Sequence, residues 1–377
     1  MKLIHLSDLH LGKRLNDFSL LDDQKHILEQ ILGIVESQRP DVLIMAGDIY
    51  DKAAPSAEAV ALFDDFLSRL SAYVPDIFVI SGNHDSPERI AFGSRLLDKS
   101  GVHLSPVYDG TLRPITLCDE HGEVDFFMLP FIKPANVRRF FPDEVIESYT
   151  DAVRIALSDA VDKGGRRVLI THQFVTGASR CDSEEVSVGG SDNVDAAVFD
   201  GFDYVALGHL HGAQSVQRST LRYCGTPLKY SFSEAGHEKS LTVVELGAKG
   251  DIDISAIPLT PLHDLREIRG SYDTLTLRST YEHTAADDYL RITLTDEDDI
   301  PDAAAKLRVI YPNLMRLDYD NRRTRASGTL SVSERPNEKT PLELFSELYE
   351  KQNGAPMDDE QEKLVTSLIS EIWEAKA

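Results

Sequence analysis

Two pairs of residues, Asp8 with His10 and His209 with His211, place metal-ligating side chains one residue apart. In an extended segment that spacing sets both side chains on one face, where they can hold the same cation. Each pair follows an apolar run. So do Asp48 (after Leu43-Ile44-Met45-Ala46-Gly47), Asn83-His84-Asp85 (after Ile77-Phe78-Val79-Ile80-Ser81-Gly82) and His172 (after Val168-Leu169-Ile170-Thr171). The candidate metal ligands are therefore Asp8, His10, Asp48, Asn83, His172, His209 and His211: two carboxylates, one amide and four imidazoles, with no thiolate. Mixed oxygen and nitrogen donors suit Mn²⁺, Fe²⁺ or Zn²⁺, whereas a magnesium site would be richer in oxygen and a structural zinc site would normally include cysteine. Asp48 has two oxygens able to serve two cations. Two cations about 3.5–4 Å apart activate water and neutralise phosphoryl oxygens during in-line displacement, so the donor set points to phosphate-ester hydrolysis. His84 stands outside the ligand set. With Asp85 next to it, it reads as an imidazole held in one tautomer by a carboxylate, placed to steady the phosphoryl group or protonate the leaving alkoxide.

Taken singly, Asp8 or Asp48 is equally well explained as a turn or helix-cap carboxylate, and His172 as a satisfied buried histidine. The five-fold recurrence of one pattern is what joins them into a site. His5, His26, His103, His121, His237, His263 and His283 have no such context, and His5 faces away from Asp8 in its strand.

The apolar runs are the elements that must position these groups. Strands are expected at 2–7, 41–46, 76–81, 167–171 and 203–207, with helices over the periodic stretches 20–35 and 60–70, near 87–98, and over 143–163. Strand alternating with helix is α/β architecture. Short strands are expected between 101 and 130, near 214–218 and 221–224, and at 240–246, the last of the first domain. A polar loop spans 176–199. Residues 262–335 read as a smaller α+β unit, with strands 289–294 and 314–319 and a helix near 301–310. Arg322, Arg323 and Arg325 form its densest basic run, a solvated loop or a phosphate-contacting patch. Two amphipathic helices, 341–352 and 358–375, close the chain; they carry nine acidic and three basic residues over 341–377 and suit either self-packing or docking on a partner.

The 377 residues can bury two or three domains. The net charge of -24 opposes unaided binding of nucleic acid, so either the substrate is no polyanion or metals, local basic patches and a partner supply the attraction. Cys118, Cys181 and Cys224 form no disulfide framework, which suits a reducing cytoplasm. No leader is expected ahead of the first strand and no membrane span anywhere.

The motifs Asp8-Leu9-His10, Gly47-Asp48, Gly82-Asn83-His84-Asp85, His172 and Gly208-His209-Leu210-His211 together resemble those of calcineurin-like metallophosphoesterases. More narrowly, the opening Met1 to Gly12, the run Thr171 to Val175 and the run Tyr223 to Phe232 resemble the SbcD family of bacterial nuclease subunits, homologues of the Mre-eleven DNA-repair nucleases. The resemblance is specific over residues 1–235. It implies an α/β two-sheet sandwich flanked by helices over 1–260, a small α+β capping domain over 262–335, and C-terminal helices over 341–377 that dock on an SbcC-like coiled-coil ATPase subunit. One metal would be held by Asp8, His10, Asp48 and His211, the other by Asp48, Asn83, His172 and His209, with manganese preferred and His84 as the non-ligand catalytic histidine. It further implies a homodimer formed through helices after the second and third motifs, acting on DNA as a double-strand exonuclease and a single-strand or hairpin endonuclease. The 60–70 stripe and the helix near 88–97 could serve that dimer or pack on the sheet, and core packing is the simpler reading of both. The net charge keeps a small-molecule phosphodiesterase or nucleotidase as the alternative, while a non-catalytic scaffold has no use for seven ligands.

Overall fold

The computed structural model describes residues 1–160, 164–182, 184, 192–322, 324, 340–353 and 356–375. Arg323, Arg325, the middle of the 176–199 loop and the end of the helix expected over 143–163 lie outside them.

Why the apolar runs become central strands is visible in Val42–Ala46, which is buried at every position. Its side chains alternate between two cores: Leu43 and Met45 pack against the helices, while Val42, Ile44 and Ala46 face a second sheet. A strand covered on both faces must be apolar throughout, and this one is. The first sheet has the order Ile252–Pro258, Ser240–Leu246, Lys2–Leu6, Val42–Ala46, Asp76–Ile80, Val102–Leu104, with the last four parallel. The second runs Gln214–Val216, Arg218–Tyr223, Tyr204–Gly208, Arg166–His172, Gly122–Leu129, Ile115–Asp119, parallel through its four central strands. Phe78 of one sheet stacks on Phe126 of the other with ring centroids 4.8 Å apart, inside the shared core. The expected two-sheet sandwich is the fold.

Helices cover the outer faces. Leu21–Gln38 buries Ile27, Leu28, Ile31 and Val35 and ends at Arg39, whose φ of 47° turns the chain before Pro40. Ala57–Leu70 starts at Ser56, whose side chain accepts from the Ala59 N–H, and buries Phe63, Phe66 and Leu70 against the sheet, as the packing reading has it. The helix expected near 87–98 is instead two short ones, Pro87–Ile90 and Ser94–Leu97, broken where Gly93 adopts φ 76°. The helix expected over 143–163 begins only at Tyr149, because Ser148 and Asp151 form a capping box that fixes the start. Ile252–Pro258 is a strand that the sequence reading omits: it is an edge strand, half exposed, with acidic and small residues diluting its apolar pattern.

Residues Leu265–Gly270, Tyr289–Leu294 and Leu314–Tyr319 form a separate three-stranded parallel sheet with its own core of Leu290, Ile292, Leu307 and Leu314. It is tied to the sandwich through Asp23, which accepts from the His263 N–H (3.0 Å) and the Tyr289 hydroxyl (2.6 Å). The helices Pro341–Asn353 and Asp359–Ala375 follow.

Asp119 closes the far end of the sandwich. Its carboxylate meets the Arg166 guanidinium (Nη1 to Oδ2 3.0 Å) and the N-terminal ammonium (3.0 Å), and Arg166 is buried. Arg166 holds Asp119 well below the ordinary carboxylate pKa, burial opposing. Its stabilisation is therefore present above the ordinary carboxylate range and is lost as pH falls through and below it. Asp119→Ala leaves a buried guanidinium without its counter-charge, and a loss on the order of 3 kcal/mol in denaturant unfolding at neutral pH is expected. The gap to wild type should narrow in acid.

Candidate metal centre

The parallel register brings the strand ends to one edge. His5 pairs with Ile44, Ala46 with Ile80 and Gly208 with His172, so the residues that follow each strand emerge side by side. The two sheets also touch here. A Cβ on Gly208 would stand 1.9 Å from the Ala46 carbonyl oxygen, so only glycine permits this approach. Once out of the strands the chain bends sharply: Asp8, His10, Asp48 and His209 all have positive φ, at 53°, 44°, 50° and 106°. Such conformations cost on the order of 1–3 kcal/mol each and cluster at functional sites.

All seven candidate ligands meet at this edge. His10 Nε2 lies 3.3 Å from His211 Nε2 and 3.7 Å from Asp48 Oδ2. His172 Nε2 lies 3.4 Å from Asp48 Oδ2 and 3.0 Å from Asn83 Oδ1, and His209 Nδ1 is also 3.0 Å from Asn83 Oδ1. Donor atoms of Asp8, His10 and His211, and of Asp8, Asp48 and His172, lie close enough to bind one ion. The carboxylates are aimed by backbone N–H groups. The His84 N–H donates to Asp48 Oδ1 at 2.9 Å, and the His209 N–H donates to Asp8 at 3.1 Å.

The tautomers test whether cations fit. His172 Nδ1 is 2.8 Å from the Ala46 carbonyl oxygen, which can only accept, so Nδ1 carries the proton. In the neutral ring the Nε2 lone pair then points at the oxygens of Asn83 and Asp48, an arrangement that requires a positive charge between them. In the bare protein a proton fills that need. Burial works against protonation, yet the Asp48 carboxylate raises His172 to about 9, while His172 in turn keeps Asp48 well below its ordinary value despite burial. Burial lowers His10 well below its ordinary value and His209 to about 3, leaving both neutral and fit to ligate. Converging lone pairs from oxygen and nitrogen donors fit divalent cations.

The expected His84–Asp85 pair is not present, and the assignment of Asp85 as a catalytic carboxylate is corrected. Asp85 is 6 % exposed and accepts the backbone N–H groups of Ile49 (3.1 Å), Tyr50 (2.9 Å) and Gly82 (2.9 Å). Successive residues leaving a strand point in different directions, so Asp85 turns back to bind two loops together. The imidazole of His84 is held instead by the Asp51 carbonyl oxygen, 3.0 Å from Nδ1, and its ring sits edge-on to His10 at 4.9 Å. Burial, then the Asp48 charge, raises Asp85 to about 6. Asp85→Asn should lower the melting temperature and activity, since one acceptor oxygen for those N–H groups is lost. The limbs of the pH–rate profile should stay where they are, which a proton-transfer role would not allow.

Residues that the sequence reading passes over support the centre. Gln24 donates to the His10 carbonyl oxygen at 2.7 Å, Glu234 meets His211 Nδ1 at 3.1 Å, and Glu184 accepts from the His211 N–H at 2.6 Å. None follows an apolar run, so no local pattern marks them. His5 is buried against the Tyr204 hydroxyl at 2.9 Å, in the core.

Residues 1–213 match the model of the family described as calcineurin-like phosphoesterase, and residues 261–353 match a domain described as type 5 capsule protein repressor C-terminal domain. A protein of Staphylococcus epidermidis, named as the SbcD component of the nuclease SbcCD, is 35% identical over 84% of this chain and 85% of its own length. A protein of the same name from Staphylococcus saprophyticus is 30% identical over 98% of this chain and 99% of its own. Among the described residues, no helix is long and apolar enough to cross a membrane.

Proposed function

Because the chain belongs to the calcineurin-like phosphoesterase family, in its SbcD branch, and is a metal-dependent hydrolase of that family, we propose that it cleaves DNA phosphodiester bonds together with an SbcC-type ATPase. The convergence of seven oxygen and nitrogen donors on one edge of the sandwich carries this reading. Asp8, His10, Asp48 and His211 would hold one divalent cation and Asp48, Asn83, His172 and His209 the other, with manganese the preferred metal. Bound there, the cations supply charge to the phosphoryl oxygens and acidify water.

The chain's own residues do the rest. The His84 N–H fixes Asp48 so that its second oxygen faces His172 and His10. The Asp51 carbonyl accepts from Nδ1–H of His84 and so holds the ring with Nε2 free. When the ring takes up a second proton there, as imidazolium, Nε2–H can steady the phosphoryl group and pass that proton to the leaving oxygen, the ring returning to its neutral Nδ1–H form.

The remaining assignments follow the same premise: residues 1–260 form the nuclease domain, 262–335 the capping domain and 341–377 the docking element. Exposed Leu344, Phe345, Leu348, Leu364 and Leu368 suit a protein partner on the terminal helices. Phe92 and Leu96, 85 % and 81 % exposed beyond Asp76–Ile80, suit a second copy of the chain. With the ATPase bringing DNA affinity, the net charge of -24 is no obstacle.

The test is digestion of linear duplex and hairpin DNA with Mn²⁺, with and without the ATPase partner and ATP, beside a small chromogenic phosphodiester. Cleavage of both kinds of substrate supports the proposal. Cleavage of the small ester alone, unchanged on deleting 262–377, would assign a small-molecule phosphodiesterase instead.

A further inference from the structure

His211 is gripped unlike the other imidazoles of the centre. Its Nδ1 meets Glu234 Oε1 at 3.1 Å, its N–H donates to Glu184, and its carbonyl oxygen accepts from Lys239 Nζ at 2.9 Å. Behind it, Lys239 Nζ bonds Glu234 Oε2 at 2.6 Å and Thr226 Oγ1 at 2.7 Å. Glu234 is fully buried and Lys239 nearly so. Within the cluster, Nδ1 of His172 meets only a neutral carbonyl, and Nδ1 of His10 has no hydrogen-bond partner, the Asp51 carboxylate standing 3.9 Å away.

A buried ion pair is a poor stability device, since well-packed apolar residues of similar volume usually do as well or better. Here the pair is spent on one ring. A carboxylate accepting from Nδ1–H fixes the tautomer, aims the Nε2 lone pair toward His10 Nε2 and makes that nitrogen a stronger donor. Lys239 keeps the carboxylate charged and, through the His211 carbonyl, pins the same residue's backbone.

We propose that Glu234, backed by Lys239, is a positioning residue for His211 and sets the affinity of the His211-bearing cation site alone. This rests on the reading of the cluster as a two-cation centre. The side chains of the other donors, Asn83, His172 and His209, meet one another, the Ala46 carbonyl oxygen and Asp48, and the His209 N–H donates to Asp8.

The test is a Mn²⁺ titration of the full-length apoprotein, with free and bound ion counted by electron paramagnetic resonance and spin coupling between bound ions recorded. Wild type should bind two coupled ions. Glu234→Gln should weaken one of the two by about 10–100-fold and leave the other unchanged, so that an uncoupled one-ion signal appears at concentrations where wild type shows the coupled pair. Excess Mn²⁺ should restore the coupled signal. A merely structural role would change the melting temperature of the apoprotein without separating the two ions. If Glu234→Gln folds poorly, the uncharged pair Glu234→Gln with Lys239→Met should show the same one-site loss. Two ions bound with wild-type affinity by either folded variant would overturn the positioning role. Fewer than two ions bound by wild type would instead overturn the two-cation reading itself.

Discussion

Asp48→Ala is expected to reduce Mn²⁺-dependent hydrolysis of any phosphodiester by more than about 10³-fold while the sandwich stays folded. Asp48 presents a single oxygen to both groups of donors, with Oδ2 3.7 Å from His10 and 3.4 Å from His172. On the proposed two-cation reading, removing it would deprive both cations of a shared negative ligand. A cation in this role contributes several kcal/mol of charge stabilisation, and a loss of about 4 kcal/mol corresponds to roughly 10³ in rate. The fold should persist because Asp48 lies beyond Val42–Ala46, outside the apolar cores, and its burial opposes its charge. The measurement is steady-state hydrolysis at saturating Mn²⁺, with the unfolding midpoint as control. A variant retaining a tenth of the activity would separate Asp48 from the chemistry.

His84→Gln should have the next largest effect, about 10²–10⁴-fold in kcat, the range typical of general acid–base groups. Its signature differs from that of Asp48→Ala. The His84 side chain is held by the Asp51 carbonyl, and its backbone N–H, which survives the substitution, is what aims Asp48. Metal stoichiometry should therefore stay at the wild-type value while turnover falls. Esters whose leaving group needs no proton, such as nitrophenyl diesters, should lose much less than DNA. Equal loss on both substrates, with loss of metal, would make His84 a ligand rather than an acid.

What the sequence made legible follows from the range over which its patterns act. Val42–Ala46 and the Val168–Ile170 stretch of Arg166–His172 are buried on both faces, so their apolar composition is dictated locally and their ends can be read residue by residue. The seven donors at the ends of these and the other three apolar strands are legible for the same reason. Asp85 departs from the expectation because adjacency in sequence is not adjacency in space. Once the chain leaves Asp76–Ile80, neighbouring side chains diverge, and the partner of His84 is a carbonyl 33 residues away. Glu234 and Lys239 were invisible because their signal is tertiary: nothing near residue 234 in sequence says that it will stand behind His211. The break at Gly93 and the late start at Tyr149 show the limit of periodicity, which finds helices but not where a left-handed residue or a capping box cuts them.

Anomalous diffraction from crystals grown with Mn²⁺ bears most directly on the account. Two peaks about 3.5–4 Å apart are expected beyond the ends of Val42–Ala46 and Arg166–His172, with Asp48 between them. A single peak, or two peaks that do not share Asp48, would contradict it.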